Sequence, residues 1–161
     1  MMKSKTIKLL LIAGVIVLFD QFTKVLVLRY LPLYHSVTVI PGFFDLTHVQ
    51  NPGGAFGFLS GSDPRLRGLV FLFFSLLAVG LILWFYFKTP ATHPHLAGAF
   101  AMIFGGAVGN LIDRVRFGKV TDFLDFYLGN LHWPAFNVAD SAITIGIGIF
   151  LLHLLLKRMP E

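Results

Sequence analysis

Four of the eight acidic residues of this chain are concentrated in one stretch, between Asn110 and Asp140. They are the aspartates Asp113, Asp122, Asp125 and Asp140, and a strongly apolar segment lies on each side of the stretch. Charged groups held beside hydrocarbon are expensive, so they mark a functional site by default. The sequence therefore predicts chemistry by aspartates at a membrane surface.

Asp122 and Asp140 could perform acid–base catalysis together. Two carboxyl groups brought close at low dielectric cannot both ionise easily, so one keeps its proton while the other acts as a base. With a water between them, such a pair can attack an amide and then protonate the leaving nitrogen, without a metal or a nucleophilic side chain. We expect Asp122 on a loop and Asp140 at the start of the last apolar segment. The two form a pair only if the fold returns that loop onto the segment.

The same stretch also has purely structural interpretations. Asn137 and Asp140 have the spacing of a capping box at a helix start, where the carboxylate performs no chemistry. Asp113 is expected near a helix C-terminus, where the helix dipole disfavours an anion. Arg114 and Arg116 are the nearest cations that could hold it.

The composition indicates a membrane protein. The chain is 56% hydrophobic and 13% charged, whereas a soluble domain has about 25% charged residues. The net charge is +5. The basic residues are scattered or lie at the ends of apolar runs, which favours contact with anionic lipid over binding of nucleic acid. No cysteine is present, which excludes disulfides, thiolate metal sites and a cysteine nucleophile. His93 and His95 have no further ligands nearby in the sequence, so we expect no metal site there.

Hydropathy predicts one compact unit with four spans, at residues 7–30, 69–87, 96–112 and 139–156. The first run lacks a small-residue cleavage site, which favours a retained span over a signal peptide. Four spans place both termini on one side. Lysine and arginine counts tie between the two sides, but the dense basic N-terminus favours the cytoplasm. Segments 31–68 and 113–138 are then extracytoplasmic.

Several features within and between the spans could organise a site. Asp20 and Lys24 have i, i+4 spacing and can pair inside the first span; whether that pair is structural or close to the active site stays open. Residues 36–40 and 43–49 predict a short strand pair. In the third span, Gly105 and Gly109 permit close helix approach, and Asn110 is a polar group that must find a partner at membrane depth.

Five short motifs follow one another along the chain. They are DQFTK at 20–24, QNPGGAFG at 50–57, GNLIDR at 109–114, VTDF at 120–123 and FNVAD at 136–140. In this order, between four spans, they resemble the lipoprotein signal peptidase (signal peptidase II) family over essentially the whole chain. No motif position departs from the family pattern.

The resemblance implies an aspartyl endopeptidase of the bacterial cytoplasmic membrane. Such enzymes remove the signal peptide from prolipoproteins whose cysteine carries a diacylglyceryl group, cutting just before that cysteine. The family dyad falls on Asp122 and Asp140. The positions that orient the dyad, bind substrate or stabilise the surrounding fold are Asp20, Asn51, Asn110, Asp113, Arg114 and Asn137. We expect Asp125 to be solvated or locally hydrogen-bonded.

The implied fold is an all-α four-helix transmembrane bundle with a small extracytoplasmic β-sheet and loop region. The implied partners are diacylglyceryl-prolipoproteins, membrane lipids and inhibitors resembling globomycin; neither a metal nor another cofactor is implied. We expect a monomer, with the active site near the extracytoplasmic face. We expect the lipidated substrate to enter sideways from the bilayer. A narrow gap between spans, which Gly105, Gly106 and Gly109 could help form, would account for the small residues required near the cleavage site.

Two rival functions come from other classes. A small proton-coupled transporter could use Asp20, Lys24, Asn110 and Asp113 as a relay through the membrane. It predicts ionisable residues deep in several helices and an internal repeat, and no repeat is apparent in the sequence. A noncatalytic membrane assembly factor predicts insensitivity to conservative Asp to Asn changes.

Overall fold

The structure is a computed structural model that describes residues 2–53 and 63–156. Four helices are long and apolar enough to cross a membrane: α1 (Met2–Tyr30), α2 (Pro64–Lys88), α3 (Pro94–Phe117) and α4 (Val138–Leu155). Four strands lie between them in the chain: β1 (Ser36–Ile40), β2 (Phe44–Asn51), β3 (Val120–Leu128) and β4 (Leu131–His132). The predicted four-helix bundle with a small sheet is confirmed.

Local sequence determines where the helices begin and end. Asp63 caps α2, accepting hydrogen bonds from the backbone of the first turn, and Pro64 follows it at the first helical position. Gly118 ends α3 in the left-handed conformation, with φ of 68°. Asn137 opens α4 with the predicted capping box to Asp140. Helix α3 continues to Phe117, beyond the span predicted at 96–112, so Asn110 and Asp113 lie inside the helix.

The strands form one antiparallel sheet in the order β1-β2-β3-β4. Strands β1 and β2 confirm the predicted strand pair. The prediction that Asp122 lies on a loop is wrong, because it belongs to β3 and pairs with Val49 of β2 across the sheet. Of the motif at 50–57, residues 54–57 lie outside the described residues.

Different forces hold the two ends of the bundle together. At the end far from the sheet, Phe100 of α3 stacks on Phe85 of α2 and contacts the ring of Phe150 of α4. The buried apolar cluster there includes Leu9 and Tyr86. At the sheet end, most of the buried side chains are polar or charged. The apolar end supplies hydrophobic stabilisation, which leaves the other end free to hold a polar site.

The glycines of α3 make close helix contacts. A Cβ on Gly105 would lie 2.9 Å from the Cα of Ala13 in α1, and one on Gly106 would overlap the carbonyl oxygen of Ala139 in α4. At Gly109 a Cβ would lie 2.7 Å from Oδ2 of Asp20. The predicted close helix approach is therefore observed. The suggestion that these three glycines line a gap for substrate is wrong, because α1 and α4 already fill the space beside them.

We expect Gly106→Ala to lower the stability of the protein by about 1–3 kcal/mol, because the added methyl group forces α3 and α4 apart. Gly98→Ala, in the same helix, is the matched control: a Cβ there has no neighbour within 4 Å, so helix propensity alone makes it neutral or slightly stabilising. Thermal unfolding in detergent measures both variants. Equal melting temperatures would contradict the close contact between α3 and α4.

Candidate active site

Asp122 lies on β3 with only 3% of its surface exposed. Its Oδ1 accepts a hydrogen bond of 2.6 Å from Nδ2 of Asn137, and its Oδ2 accepts one of 3.1 Å from Nδ2 of Asn51. Asn51 is itself held in place, because its Oδ1 accepts from the backbone N–H of Gly53 at 2.9 Å. Both carboxylate oxygens therefore have fixed amide donors.

Asp140 lies in the first turn of α4, where it serves as more than a cap. Its Oδ2 accepts from the backbone N–H of Asn137 at 3.3 Å, while Oδ1 of Asn137 accepts from the backbone N–H of Asp140 at 2.9 Å. The remaining oxygen, Oδ1, accepts a 2.7 Å hydrogen bond from Nδ2 of Asn110. The cap thus occupies one carboxylate oxygen and leaves the other facing α3.

Asn137 connects the two carboxylates. Its side chain donates to Asp122 through Nδ2 and accepts from the backbone of Asp140 through Oδ1, and the residue is fully buried. The same Nδ2 lies 3.2 Å from Oδ1 of Asn110. The fold therefore brings together a strand and a helix that the sequence could only suggest were neighbours, and the carboxylates of Asp122 and Asp140 both contact Asn137.

A buried ionic cluster lies directly behind this pair. The ammonium of Lys24 is 3.0 Å from Oδ2 of Asp20, 3.2 Å from Oδ2 of Asp113 and 3.0 Å from Oδ1 of Asn110. Asp20 also accepts from the backbone N–H of Ala139 at the start of α4. The cluster thereby joins α1, α3 and α4, and it reaches the carboxylate pair through Asn110.

Asp113 is held differently from the prediction. Its partner is Lys24, and neither Arg114 nor Arg116 pairs with it among the described residues. The backbone N–H of Thr121 on β3 also donates to Asp113, at 2.9 Å. Asp113 therefore ties α3 to the strand that carries Asp122.

Arg114 and Asp125 lie at the edge of the site. Arg114 donates from Nη1 to the carbonyl oxygen of Asn110 at 3.3 Å, and the charges of Asp140 and Asp122 both attract it. Asp125 contacts the ring nitrogen of His132 at 3.0 Å, which confirms the predicted local hydrogen bond. Asp125 does not belong to the carboxylate pair.

Sequence reasoning missed the part played by Gln21. Its Nε2 donates to Oδ2 of Asp20 at 3.1 Å, to Oδ1 of Asp113 at 3.0 Å and to the carbonyl oxygen of Gly109 at 3.1 Å. The only signal in the sequence was its place between Asp20 and Lys24. A glutamine next to an intramembrane aspartate needs a buried partner, but nothing local identified α3 as that partner.

Burial raises the pKa of Asp122 to about 6, and the nearby charge of Asp140 adds to this effect. The hydrogen bonds from Asn51 and Asn137 and the charge of Lys24 act in the opposite direction. Two neighbouring carboxyls titrate as a coupled pair. The surroundings therefore favour a pair that retains one proton well above the usual range of an aspartate.

We expect the pH dependence of stability to report this raised pKa. A carboxyl with a pKa of about 6 when folded and 3.8 when unfolded binds more protons in the folded state between these values. Its contribution to stability is present below about pH 4 and is lost as the pH rises through 6. The melting temperature of the intact protein, relative to that of Asp122→Asn, should therefore fall from pH 4 to 7, by the equivalent of roughly 3 kcal/mol at most.

Asp125→Asn is the control for this titration, because Asp125 lies on the same strand but outside the pair. Its melting temperature should follow that of the intact protein across the range. A difference between the intact protein and Asp122→Asn that does not change with pH would contradict the raised pKa.

Comparison with known proteins finds relatives that match nearly the whole chain. The family model described as "Signal peptidase (SPase) II" matches residues 12–156. The chain is 55% identical over 155 residues to the lipoprotein signal peptidase of Desulforapulum autotrophicum, covering 96% of each chain. It is 46% identical over 160 residues to that of Syntrophus aciditrophicus, covering 99% of each. A solved structure described as a bacterial membrane enzyme is 34% identical, with a TM-score of 0.81 over 93% of this chain and 88% of that one.

Proposed function

The chain belongs to the signal peptidase II family, and from this premise we propose that it is a metal-independent aspartyl endopeptidase. The substrates would be bacterial prolipoproteins that already carry a diacylglyceryl group, cut just before the lipidated cysteine. The observation that carries the aspartyl assignment is that the carboxylates of Asp122 and Asp140 both accept hydrogen bonds from Asn137, the first from its side chain and the second from its backbone N–H. Asp20 and Asp113 also share an amide donor, Gln21, but both of them are ion-paired with Lys24.

The two aspartates would share the work of acid and base. The ionised carboxylate takes a proton from water as the water oxygen attacks the carbonyl carbon of the scissile bond, and the protonated carboxyl gives its proton to the carbonyl oxygen. The tetrahedral intermediate then collapses and the C–N bond breaks. The carboxyl that took a proton from water gives it to the leaving nitrogen, while the other carboxylate takes a hydroxyl proton from the intermediate, which restores the pair. The raised pKa of Asp122 supports a proton being held at the pH where the other carboxylate is ionised.

The surrounding residues would keep this pair in position. Asn51 and Asn137 fix the oxygens of Asp122, and Asn110 fixes Oδ1 of Asp140. Asp20 and Asp113 act through Lys24 as positioning residues, because their contacts hold the helices and β3. Arg114 would place positive charge beside the carboxylate pair, where it favours the ionised partner.

The membrane arrangement is also a proposal. The four membrane-spanning helices support a multi-pass protein of the inner membrane, and in the proposed orientation both termini are cytoplasmic and the sheet is extracytoplasmic. The carboxylate pair lies at the sheet end of the bundle, which is the side where a secreted prolipoprotein presents its cleavage site. A monomer suffices for this arrangement, since all the residues of the pair and its supports come from one chain. Inhibitors resembling globomycin would occupy the same site.

A proton-coupled transporter is not favoured. Its proposed relay residues Asp20, Lys24 and Asp113 form one closed ionic cluster at the sheet end. A relay needs ionisable groups distributed across the depth of the membrane. The carboxylates of α1, α3 and α4 that the structure describes all gather at that one end.

The experiment that tests the proposal is a cleavage assay with purified protein in detergent. Two forms of one prolipoprotein, with and without the diacylglyceryl group on its cysteine, are incubated with the enzyme, and mass spectrometry locates the cut. We expect cleavage of the modified form only, directly before the cysteine, at a rate unchanged by metal chelators. Equal cleavage of the unmodified form would contradict the lipid requirement, and loss of activity with chelators would contradict metal independence.

A further inference from the structure

A basic cavity lies beside the candidate active site, between the ends of α2 and α3 nearest the sheet. Its volume is about 540 Å³. Four cationic side chains line it, together with an apolar floor from α2. These are Arg65, Arg67, Arg114 and Lys119, with Leu69 and Leu72 below them. The cavity therefore combines concentrated positive charge with hydrocarbon surface.

Most of this positive charge has no acidic partner in the described part of the chain, although Arg114 is attracted by Asp140 and Asp122. None of the described residues that line the cavity is acidic, and the side chains of Arg65, Arg67 and Lys119 form no ion pair with a described residue. Asp63 is close in sequence, but its Oδ1 caps α2, accepting from the backbone N–H of Arg65 at 2.7 Å. Like charges gathered in one cavity repel each other unless an anion lies among them. The cavity is thus complementary to a negatively charged group.

The position of the cavity along α2 indicates what carries that anion. Arg65 and Arg67 come immediately before the apolar run that starts at Leu69, so the cations lie where the helix enters the hydrocarbon. Lipid phosphates occupy this level of a bilayer. Leu69 is well exposed beside the cavity, and it offers a surface for an acyl chain below the phosphate.

We propose that this basic cavity binds an anionic phospholipid. The phosphate lies among the guanidinium groups of Arg65 and Arg67 and the ammonium of Lys119, since arginine forks match phosphate oxygens in pairs. An acyl chain follows α2 past Leu69 and Leu72. This phospholipid stays bound to the enzyme and is not its substrate, because the diacylglyceryl group of the proposed substrate carries no phosphate.

Native mass spectrometry on the full-length protein without substrate tests this proposal. The protein is titrated with an equimolar mixture of phosphatidylglycerol and phosphatidylcholine, and the retained lipids are counted. We expect the intact protein to retain phosphatidylglycerol preferentially. In the triple variant Arg65→Gln, Arg67→Gln, Lys119→Gln that preference should fall by about fivefold or more, because each cation near the surface attracts anionic lipid. Arg114 is left unchanged because it also lies beside the carboxylate pair.

Arg29→Gln is the matched control, since Arg29 is an exposed arginine at the sheet end of α1, outside the cavity. Its preference for phosphatidylglycerol should equal that of the intact protein. An unchanged preference in the triple variant, or an equal loss in Arg29→Gln, would overturn the proposal. Displacement of the lipid by millimolar inorganic phosphate would show a simple anion site instead. Because no cleavage is measured, failure here is distinct from failure of the proposed peptidase function.

Discussion

Asp122→Asn and Asp140→Asn should each abolish cleavage of a lipidated prolipoprotein, with kcat reduced by about 10³-fold or more, because each variant removes one half of the acid–base pair. Both variants should stay folded. Asparagine at position 140 can still accept from the backbone N–H of Asn137, which preserves the cap at the start of α4. Asparagine at position 122 keeps one acceptor for Asn137 or Asn51.

The measurement compares initial rates of cleavage, with thermal unfolding as the check on folding. Asp125→Asn is the matched control, because Asp125 lies on the same strand as Asp122 but contacts His132. It should retain the activity of the intact protein. Persistent cleavage by either dyad variant would move the chemistry to other residues, whereas loss of cleavage in Asp125→Asn would indicate that β3 is sensitive to any change of charge.

The Asp140→Asn variant also distinguishes a capping role of Asp140 from a catalytic one. A residue that only caps a helix contributes about 1 kcal/mol of stability, and its replacement by asparagine should leave kcat nearly unchanged. The hydrogen bond from Asn110 to Oδ1 of Asp140 has no role in capping. A large fall in kcat at a constant melting temperature would therefore assign Asp140 to catalysis.

Features that depend on neighbouring residues could be predicted from the sequence. The spans follow from runs of apolar residues, and the capping box follows from the spacing of Asn137 and Asp140. The i, i+4 pair of Asp20 and Lys24 follows from helix geometry and is confirmed at 3.0 Å. Each of these patterns lies within one or two helical turns, where geometry is nearly fixed.

Features that depend on tertiary contacts could not be predicted in this way. Strand β3 was missed because VTDFLDFYL is defined by its pairing with β2, whose residues are some 70 positions earlier in the chain. The partner of Asp113 was wrong for the same reason. Arg114 is adjacent in sequence, but on a helix adjacent residues point in different directions, and Lys24 reaches Asp113 from another helix. The basic cavity likewise combines α2 with α3.

The largest structural effect is expected from Lys24→Met, which removes the only cation in contact with Asp20 and Asp113 among the described residues. The ammonium uses its three donors on Asp20, Asp113 and Asn110, and Lys24 is 1% exposed. Methionine fills much of the same volume but leaves two carboxylates buried without a counter-charge. We expect a loss of about 3–5 kcal/mol, measured by thermal unfolding in detergent.

Two further variants separate this electrostatic explanation from loss of packing. Lys8→Met, at an exposed position of the same helix, should change stability by less than about 0.5 kcal/mol. The triple variant Asp20→Asn, Lys24→Met, Asp113→Asn removes all three charges and should recover most of the lost stability, because a neutral cluster has no unpaired charge to bury. If the triple variant is as unstable as Lys24→Met, the lysine stabilises the bundle through its hydrocarbon chain, and the ionic cluster is not what holds α1, α3 and α4 together behind the carboxylate pair.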